Sequence, residues 1–294
     1  MKIFRTRTEV HIYIERLKLE GKRIGFVPTM GALHEGHLSL INAASEKSDT
    51  VVCSIFVNPT QFNDKTDLEN YPRPIQNDVQ KLEDAKCDVL FVPEVSEMYD
   101  SSDKWHIELS NLDNILEGEI RPGHYQGVTQ IVKKLFDIIQ PDYAFFGQKD
   151  FQQFVVISYM VRKLDVNVEL IMCPIIREKD GLAMSSRNIY LSKEDRQNAL
   201  SLFQSLSKAK AEFANLSLSQ VKKNAIDRLS KASGIKLEYF ELYDADTFTP
   251  ALSKTSENII ALVAARVGNI RIIDNMILSN KQSLNNNYYL TTTS

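Results

Sequence analysis

Two hydrophobic patterns alternate along the N-terminal part of this chain. Continuous apolar runs, typical of strands buried on both faces of a sheet, occupy residues 23–28, 50–57, 88–92, 142–146 and 166–172. Apolar residues at helical spacing occupy residues 8–20, 37–45, 72–85, 127–139 and 150–164. Strands that alternate with helices predict an α/β fold, in which a parallel sheet carries helices on both faces.

The alternation stops near residue 185. Two helical patterns follow, in residues 192–215 and 219–232, and then three strand patterns, in residues 236–243, 258–267 and 269–274. This order predicts a smaller α+β domain at the C-terminal end. We therefore expect one domain in residues 1–178 and a second in residues 179–280. Residues 281–294 are rich in Asn, Ser and Thr, and this composition predicts a disordered tail.

A glycine-marked turn joins the first predicted strand to a helix. The turn covers residues 29–36, and His34 and His37 lie at the helix entry. A helix N-terminus has unpaired backbone N–H groups and about half a positive charge, so it attracts anions, above all phosphate. Two imidazoles beside it add mobile hydrogen-bond donors whose charge can change near neutral pH.

Two other interpretations of these histidines are weaker. The zinc-protease pattern needs histidines four residues apart, H-E-x-x-H, whereas His34 and His37 are three apart. Polar loop histidines without a task are the usual case for a lone His. Here two of the five His in the chain lie together at one helix entry, which favours a phosphate or nucleotide site.

Polar loops follow four of the predicted strands, at residues 28–37, 58–62, 147–153 and 174–188. In an open parallel sheet, ligands bind at the carboxyl ends of the strands. Because these loops are far apart in sequence but follow strands of one sheet, we expect them to form one catalytic site.

Two of these loops carry groups suited to phosphate. Lys149 offers a point charge for a polyphosphate, although most lysines are simply exposed. Asp150 can cap the next helix or bind a ribose hydroxyl. The pair Ser185 and Ser186, followed by Arg187, suits a triphosphate clamp on a flexible loop; the alternative is a Ser-rich linker between domains.

Four further residues carry weaker signals. Gln61 and Gln153 are neutral amides with two donors and one acceptor each, which suits a hydroxy acid better than a phosphate. Arg121 and His124 belong to one turn, and the sequence alone does not decide between a ligand contact and a solvated loop.

Composition excludes several classes of protein. The chain has 294 residues, of which 43% are hydrophobic and 25% charged, and a net charge of −3; this is ordinary globular composition and disfavours nucleic acid as the main partner. Cys53, Cys87 and Cys173 lie in apolar contexts, which predicts reduced core thiols. There is no apolar run of membrane length and no signal-peptide core at the N-terminus, so we expect a cytoplasmic protein.

Six motifs carry a resemblance to a known family. They are PTMGALHEGH at 28–37, VNPTQF at 57–62, YPR at 71–73, RPGHY at 121–125, GQKDFQQ at 147–153 and DGLAMSSRN at 180–188. In this order they resemble the pantothenate synthetase (pantoate–β-alanine ligase) family of the HxGH nucleotidyltransferase superfamily. Tyr125 and Gln126 depart from its usual Phe and Arg. After the YPR motif, members of this family usually have a pair of acidic residues. This chain has Asn77 and Asp78 there, so an acidic role at this pair rests on Asp78 alone.

The resemblance implies a Rossmann-like sheet, a homodimer and an AMP-forming ligase that needs ATP and Mg²⁺. Pantoate carboxylate attacks the α-phosphate of ATP to give pantoyl adenylate and pyrophosphate; the amine of β-alanine then attacks the acyl carbon to give pantothenate and AMP. Mg²⁺ arrives with the ATP phosphates rather than in a protein cage.

The resemblance also implies residue roles. His37, His34, Lys149 and Arg187 are the implied catalytic residues, Gln61 and Gln153 hold pantoate, and Gln61 also lies near β-alanine. The implied ATP-binding residues are Pro28, Met30, Gly31, Ala32, Leu33, His34, Glu35, Gly36, His37, Gly147, Gln148, Lys149, Asp150, Ile176, Met184, Ser185, Ser186 and Arg187.

Two alternatives remain beside this function. One is another adenylating or nucleotide-transferring enzyme of the superfamily, which the glutamine pair and the lack of a tRNA-binding extension disfavour. The other is a non-catalytic nucleotide-binding module, whose signature would be loss of His37, Lys149 or Arg187; all three are present.

Overall fold

The computed structural model describes residues 1–63, 65–100, 102–256 and 258–279. The chain divides into two compact units, one formed by Met1–Gly147 and Gln152–Cys173, the other by Gln148–Phe151 and the chain from Pro174 onward. The domain boundary expected between residues 178 and 179 stays a prediction. The disordered tail predicted for residues 281–294 lies outside the described residues.

The first unit contains six strands and most of the helices. Its strands are β1 (Lys2–Phe4), β2 (Ile24–Thr29), β3 (Thr50–Ile55), β4 (Val89–Phe91), β5 (Tyr143–Gly147) and β6 (Glu169–Cys173). Its helices are α1 (Arg7–Leu19), α2 (Glu35–Lys47), α3 (Lys65–Asn70), α4 (Ile75–Asp84), α5 (Val95–Met98), α6 (Glu117–Ile120), α7 (His124–Ile139) and α8 (Phe151–Lys163), with a 3₁₀ helix at Pro59–Gln61. The first residue of α8 groups with the other unit.

The six strands form one parallel sheet in the order β1-β4-β3-β2-β5-β6. Strand β2 is buried on both faces: the ring of Phe26 lies 6.3 Å from that of Phe136 in α7, while Val27 packs in a core cluster with Leu40 and Ile41 of α2. The strand order reverses at β2, and ligands bind open α/β sheets at the carboxyl ends beside such a reversal. The predicted parallel sheet with helices on both faces is confirmed.

The second unit combines two long helices with an antiparallel sheet. It contains the 3₁₀ helices Gln148–Asp150 and Ser186–Tyr190, the helices α9 (Lys193–Phe213) and α10 (Leu218–Ser230), and the strands β7 (Ile235–Asp244), β8 (Ile259–Val267) and β9 (Ile270–Ile277). The sheet order is β7-β8-β9. Leu206 of α9, Val221 of α10 and Val263 of β8 share one buried core, and the predicted α+β layout is confirmed.

The structure differs from the predicted elements in a few places. Helix α2 begins at Glu35, two residues before the predicted start, because His34 caps it. Helix α4 begins at Ile75 rather than at Pro72. The short elements β1, α3, α5 and α6 were not predicted. Within the described part of the chain, no helix combines the length and apolarity that a membrane span requires.

Candidate active site

The two histidines of the HxGH motif form the N-terminal cap of α2. His34 is the N-cap residue, and its Nδ1 accepts a hydrogen bond from the backbone N–H of Gly36 at 3.1 Å. The Nδ1 of His37 accepts from the backbone N–H of His34 at 3.3 Å. Their ring centroids lie 4.1 Å apart. Both rings are therefore bonded to the main chain at the helix entry, and the mobility expected of them stays a prediction.

These contacts select the tautomer of both rings. A ring nitrogen that accepts from a backbone N–H carries no proton, so the neutral form of each imidazole has its proton on Nε2. Both histidines thus present an Nε2–H donor from a helix N-terminus, where the helix dipole already favours negative charge. This arrangement suits a phosphate whose charge increases during a reaction.

The loop before the histidines is held by a buried carboxylate. Gly31 and Ala32 both have positive φ, +81° and +50°, and the second is a conformation that alanine adopts only at a cost. Asp78 of α4, 1% exposed, accepts from the backbone N–H groups of Ala32 and Leu33, each at 2.8 Å. The sequence left the role of Asp78 open; the structure gives it the role of fixing this turn.

Gln61 is fixed through both its side chain and its main chain. Its Oε1 accepts from Nδ2 of Asn58 at 3.1 Å, and its Nε2 lies 3.1 Å from Sδ of Met30. Its carbonyl oxygen lies 2.8 Å from Nδ1 of His124 and accepts from Arg121 at 3.4 Å. The amide of Gln61 therefore presents its N–H groups beside Met30, which suits a carboxylate or hydroxyl ligand.

His124 and Arg121 act together on that carbonyl. Because a carbonyl only accepts, Nδ1 of His124 carries the proton, and its Nε2 accepts from Nη1 of Arg121 at 3.1 Å. His124 is 5% exposed. In the undecided turn, Pro122 and Gly123 are exposed, whereas Arg121 and the buried His124 bind the main chain of Gln61.

Asn58 was not among the predicted site residues, although it lies in the NPTQF motif. It is 1% exposed, and besides Gln61 it donates to the carbonyl of Gly127 at 3.1 Å. Its Oδ1 accepts from the hydroxyl of Tyr99 at 2.7 Å. Burial raises the pKa of Tyr99 to about 12, so this hydroxyl keeps its proton and its bond to Asn58 at ordinary pH.

Gly127 allows α7 to approach this segment closely. A Cβ at this position would lie 2.3 Å from the carbonyl oxygen of Thr60 and 2.7 Å from the backbone nitrogen of Gln61. A side chain at residue 127 would therefore require a shift of either α7 or the main chain of residues 60–61.

The two glutamines of the GQKDFQQ motif differ in their surroundings. Gln152 is 4% exposed; its amide donates to the carbonyls of Leu112 and Ile115, and its Oε1 accepts from the N–H of Glu117. All its hydrogen-bonding groups hold the chain before α6. Gln153, the predicted pantoate ligand, lies in the first turn of α8 and is half-buried.

In the second unit, the segment from Ile176 to Arg187 has several hydrogen bonds within the chain, and the flexibility expected of it stays a prediction. Met184 donates its N–H to the carbonyl of Ile176 at 3.0 Å. Ser185 caps the 3₁₀ helix Ser186–Tyr190 by accepting from the N–H of Arg187. Asn188 donates to the carbonyl of Ala183 and to Glu178. These bonds fix the main chain that carries both serines and Arg187.

A buried ion pair supports the same segment. Arg177 donates to both carboxylate oxygens of Asp274 at 2.7 and 2.9 Å and to the carbonyl of Gly181 at 3.1 Å. Its guanidinium lies 4.5 Å from the ring centroid of Phe203. Burial raises the pKa of Asp274, and the contact with Arg177 opposes this shift.

The remaining predicted residues lie at the ends of strands. Pro28 is in β2, Met30 and Leu33 are in the loop that follows, and Glu35 and Gly36 are in the first turn of α2. Gly147 ends β5. Gln148, Lys149 and Asp150 form the 3₁₀ helix of the second unit, with Nζ of Lys149 4.0 Å from Oδ1 of Asp150.

The structure thus brings together two sets of predicted residues, one in each unit. In the first unit, Met30 meets Gln61 beside the loop that leads to His34 and His37. In the second, Ile176 meets Met184. A single site that combines both sets stays a prediction. Among the described residues, no group of three or more His, Cys, Asp or Glu is placed to hold a metal ion.

Comparisons with known proteins agree with the motifs. The family model described as pantoate-beta-alanine ligase matches residues 2–277. The chain is 49% identical to the pantothenate synthetase of Thermotoga petrophila over 95% of this chain and 100% of that protein. It is 44% identical to that of Bacteroides thetaiotaomicron over 94% of this chain and 98% of that protein.

Solved structures give the same result. The pantothenate synthetase of Thermus thermophilus superposes with a TM-score of 0.90 at 36% identity, covering 95% of this chain and 100% of that one. A pantoate-beta-alanine ligase from Francisella tularensis, complexed with beta-gamma ATP and beta-alanine, gives a TM-score of 0.78 at 35% identity, covering 95% and 98% of the two chains.

Proposed function

Because this chain belongs to the pantoate–β-alanine ligase family, we propose that its ATP-dependent ligation of pantoate and β-alanine is carried out by the residues described above. The reaction has two steps. A carboxylate oxygen of pantoate bonds to the α-phosphorus of ATP as the bond to the β-phosphate oxygen breaks and pyrophosphate leaves. The amine of β-alanine then bonds to the acyl carbon, AMP leaves with the bonding electron pair, and the amine loses a proton.

His34 and His37 stabilise the charge on phosphate during the first step. Negative charge increases on the oxygens around a five-coordinate phosphorus. The fixed Nε2–H groups of both histidines, together with the N-terminus of α2, supply positive potential without having to reorganise. No side chain forms a covalent bond to substrate, so catalysis rests on positioning and electrostatics.

The second unit supplies the remaining positive charge. We assign Lys149 and Arg187 to the triphosphate, where they stabilise the departing pyrophosphate. Ser185 and Ser186 donate from their hydroxyl or backbone groups. Backbone groups of Gly147, Gln148, Ile176 and Met184 complete the nucleotide contacts, and Asp150 binds the ribose.

Gln61 and Gln153 bind pantoate. Since Oε1 of Gln61 is occupied by Asn58, the amide N–H groups of Gln61 are the ones that suit the oxygens of a hydroxy acid. Gln61 also lies near β-alanine in the second step. Asn58 holds this amide, and Arg121 and His124 hold the main-chain carbonyl of the same residue.

Three further assignments rest on the family resemblance. Mg²⁺ is bound by the phosphates of ATP, since this ion keeps much of its water shell and binds few protein groups. The chain forms a homodimer, and it works in the cytoplasm, where its three buried cysteines stay reduced.

The observation that carries the proposal is the pair of fixed Nε2–H donors at the N-terminus of α2, directly after the central strand β2. We expect AMP formation to require ATP, pantoate and β-alanine together. Lys149→Ala should lower the rate of adenylation by about 10²–10³-fold with the fold intact, because it removes a charge aimed at the transition state. A normal rate would remove Lys149 from the mechanism.

The assignment of pantoate is tested separately. Gln153→Ala should raise the KM for pantoate more than the KM for ATP, since only pantoate loses a direct contact. The reverse pattern would reassign Gln153 to the nucleotide. Gln152→Ala serves as the comparison: its side chain holds residues 112–117, so this change should lower stability rather than act on one KM.

A further inference from the structure

Lys149 lies on a very short structural element. The 3₁₀ helix Gln148–Asp150 has three residues, and an element of this length has too few internal hydrogen bonds to fix its own geometry. The main chain from which the Lys149 side chain extends is therefore held by contacts from elsewhere in the chain as well.

Those contacts come from Asn275 of β9. Its Nδ2 donates to the carbonyl of Gln148 at 2.9 Å and to that of Lys149 at 3.0 Å, and its Oδ1 accepts from Nε2 of Gln148 at 2.9 Å. Because both carbonyls can only accept, the orientation of the Asn275 amide is determined. Asn275 is 2% exposed, and both of its amide hydrogens are used.

Asp274, which precedes Asn275 in β9, links Asn275 to the segment from Ile176 to Arg187. Asp274 binds Arg177, and Arg177 also donates to the carbonyl of Asn275 at 3.2 Å. The N–H of Asn275 donates to Asp274 at 2.7 Å. The main chain of Asn275 is thus fixed by the same ion pair that holds the carbonyl of Gly181.

We infer that Asn275 is a positioning residue for the adenylation step: it places Lys149 on the triphosphate from a strand that is more than a hundred residues away in sequence. This inference rests on the proposed role of Lys149. Because Asn275 is 2% exposed and its amide hydrogens are used by Gln148 and Lys149, we expect its effect on the reaction to pass through Lys149. Displacing a catalytic group by about 1 Å can cost about 10²-fold in rate.

The test is a double-mutant cycle between Asn275 and Lys149. Asn275→Asp keeps the size and the acceptor but removes both donors and places a carboxylate against two carbonyls. We expect kcat for AMP formation to fall about tenfold or more, with the KM for pantoate unchanged. In the Lys149→Ala background the same change should alter kcat by less than about twofold, because the group that it positions is already absent.

Asn224→Asp is the matched control. Asn224 lies in α10 of the same unit and donates to Glu212, so this change removes an amide hydrogen bond without touching residues 148–149. It should leave kcat, the KM for pantoate and the KM for ATP unchanged. If Asn275→Asp does not fold, Gln148→Met is the second variant, because it removes the hydrogen bond from Gln148 to Oδ1 of Asn275. It should lower kcat when Lys149 is present and should have little effect on kcat in the Lys149→Ala background.

The outcomes separate the inference from the function on which it rests. Equal effects of Asn275→Asp with and without Lys149 would make its role structural and overturn the inference, while the proposed function would stand. A normal rate in Lys149→Ala alone would overturn both the role of Lys149 and the inference. Failure of the wild-type protein to form AMP from the three substrates would overturn the proposed function itself.

Discussion

At the scale of single residues, hydrogen bonds to the main chain decide what each site group can do. The sequence identifies His34 and His37, but their tautomers follow from which ring nitrogen meets a backbone N–H. The same holds for Gln61, whose amide orientation is set by Asn58. These partners lie only two or three residues away, but contacts between individual polar atoms leave no apolar period, so periodicity cannot reveal them.

A variant of Asp78 tests whether hydrogen bonds to the main chain hold the loop before His34. Asp78→Asn places an amide N–H where the carboxylate accepts from Ala32 or Leu33, so the positive-φ turn loses one of its two fixed contacts. We expect a loss of about 1–3 kcal/mol in the free energy of unfolding and a slower adenylation step. Urea unfolding and initial rates measure the two effects.

Asp84→Asn is the comparison for this change. Asp84 lies on the exposed side of the same helix, where it accepts from Gln80. It should change neither quantity. Equal behaviour of the two variants would contradict the role given to Asp78.

A variant of Gly127 tests the support of Gln61, the residue proposed to bind pantoate. A Cβ there would meet the carbonyl oxygen of Thr60 at 2.3 Å, so Gly127→Ala must move either the main chain of residues 60–61 or α7. We expect the KM for pantoate to rise about tenfold or more, since small displacements of binding groups are costly, while the KM for ATP serves as the internal control. An unchanged KM for pantoate would show that α7 yields instead of Gln61.

At the scale of elements, the sequence predicted most strands and helices because their apolar patterns are long and regular. It missed β1, which has three residues, and placed the start of α2 two residues late, because histidine is an unusual N-cap residue. It also did not predict the hydrogen bonds within the segment before Arg187 or the ion pair of Arg177 with Asp274, because neither contact produces a periodic pattern in the sequence.

The ion pair between Arg177 and Asp274 of β9 leads to a prediction about stability. Asp274→Ala should lower the free energy of unfolding by about 3–5 kcal/mol, because it leaves the buried guanidinium of Arg177 without its partner. The double change Arg177→Met with Asp274→Leu should recover most of this stability, since it removes both charges. Chemical unfolding measures each variant.

Asp227→Ala is the comparison for this pair. It breaks the exposed pair with Lys223 and should leave the unfolding midpoint nearly unchanged. A double variant no more stable than Asp274→Ala would contradict a charge-based explanation.

At the scale of the whole molecule, the sequence predicted the two architectures and the family, because six motifs in order are specific. The arrangement of the two units and the oligomeric state depend on contacts between surfaces, and the sequence motifs give no information about these contacts. The homodimer therefore remains a proposal, and sedimentation equilibrium measures it directly: a mass of twice 33.5 kDa is expected, and a mass of one chain at micromolar concentration would contradict it.

The thiols test the integrity of the folded chain. Cys53, Cys87 and Cys173 are buried; burial raises the pKa of Cys87 to about 12 and that of Cys173 to about 11. Since the thiolate is the reactive form, we expect a thiol reagent at pH 8 to react only as fast as the protein unfolds. Rapid reaction of any one cysteine in the folded protein would contradict this packing.

We propose that the two histidines and the two glutamines support the formation of pantoyl adenylate before β-alanine takes part. The most direct measurement is the exchange of labelled pyrophosphate into ATP, with Mg²⁺ present and β-alanine omitted, in the presence and absence of pantoate. We predict exchange that requires pantoate. Exchange that proceeds equally without pantoate, or none in folded protein supplied with pantoate, would contradict the account.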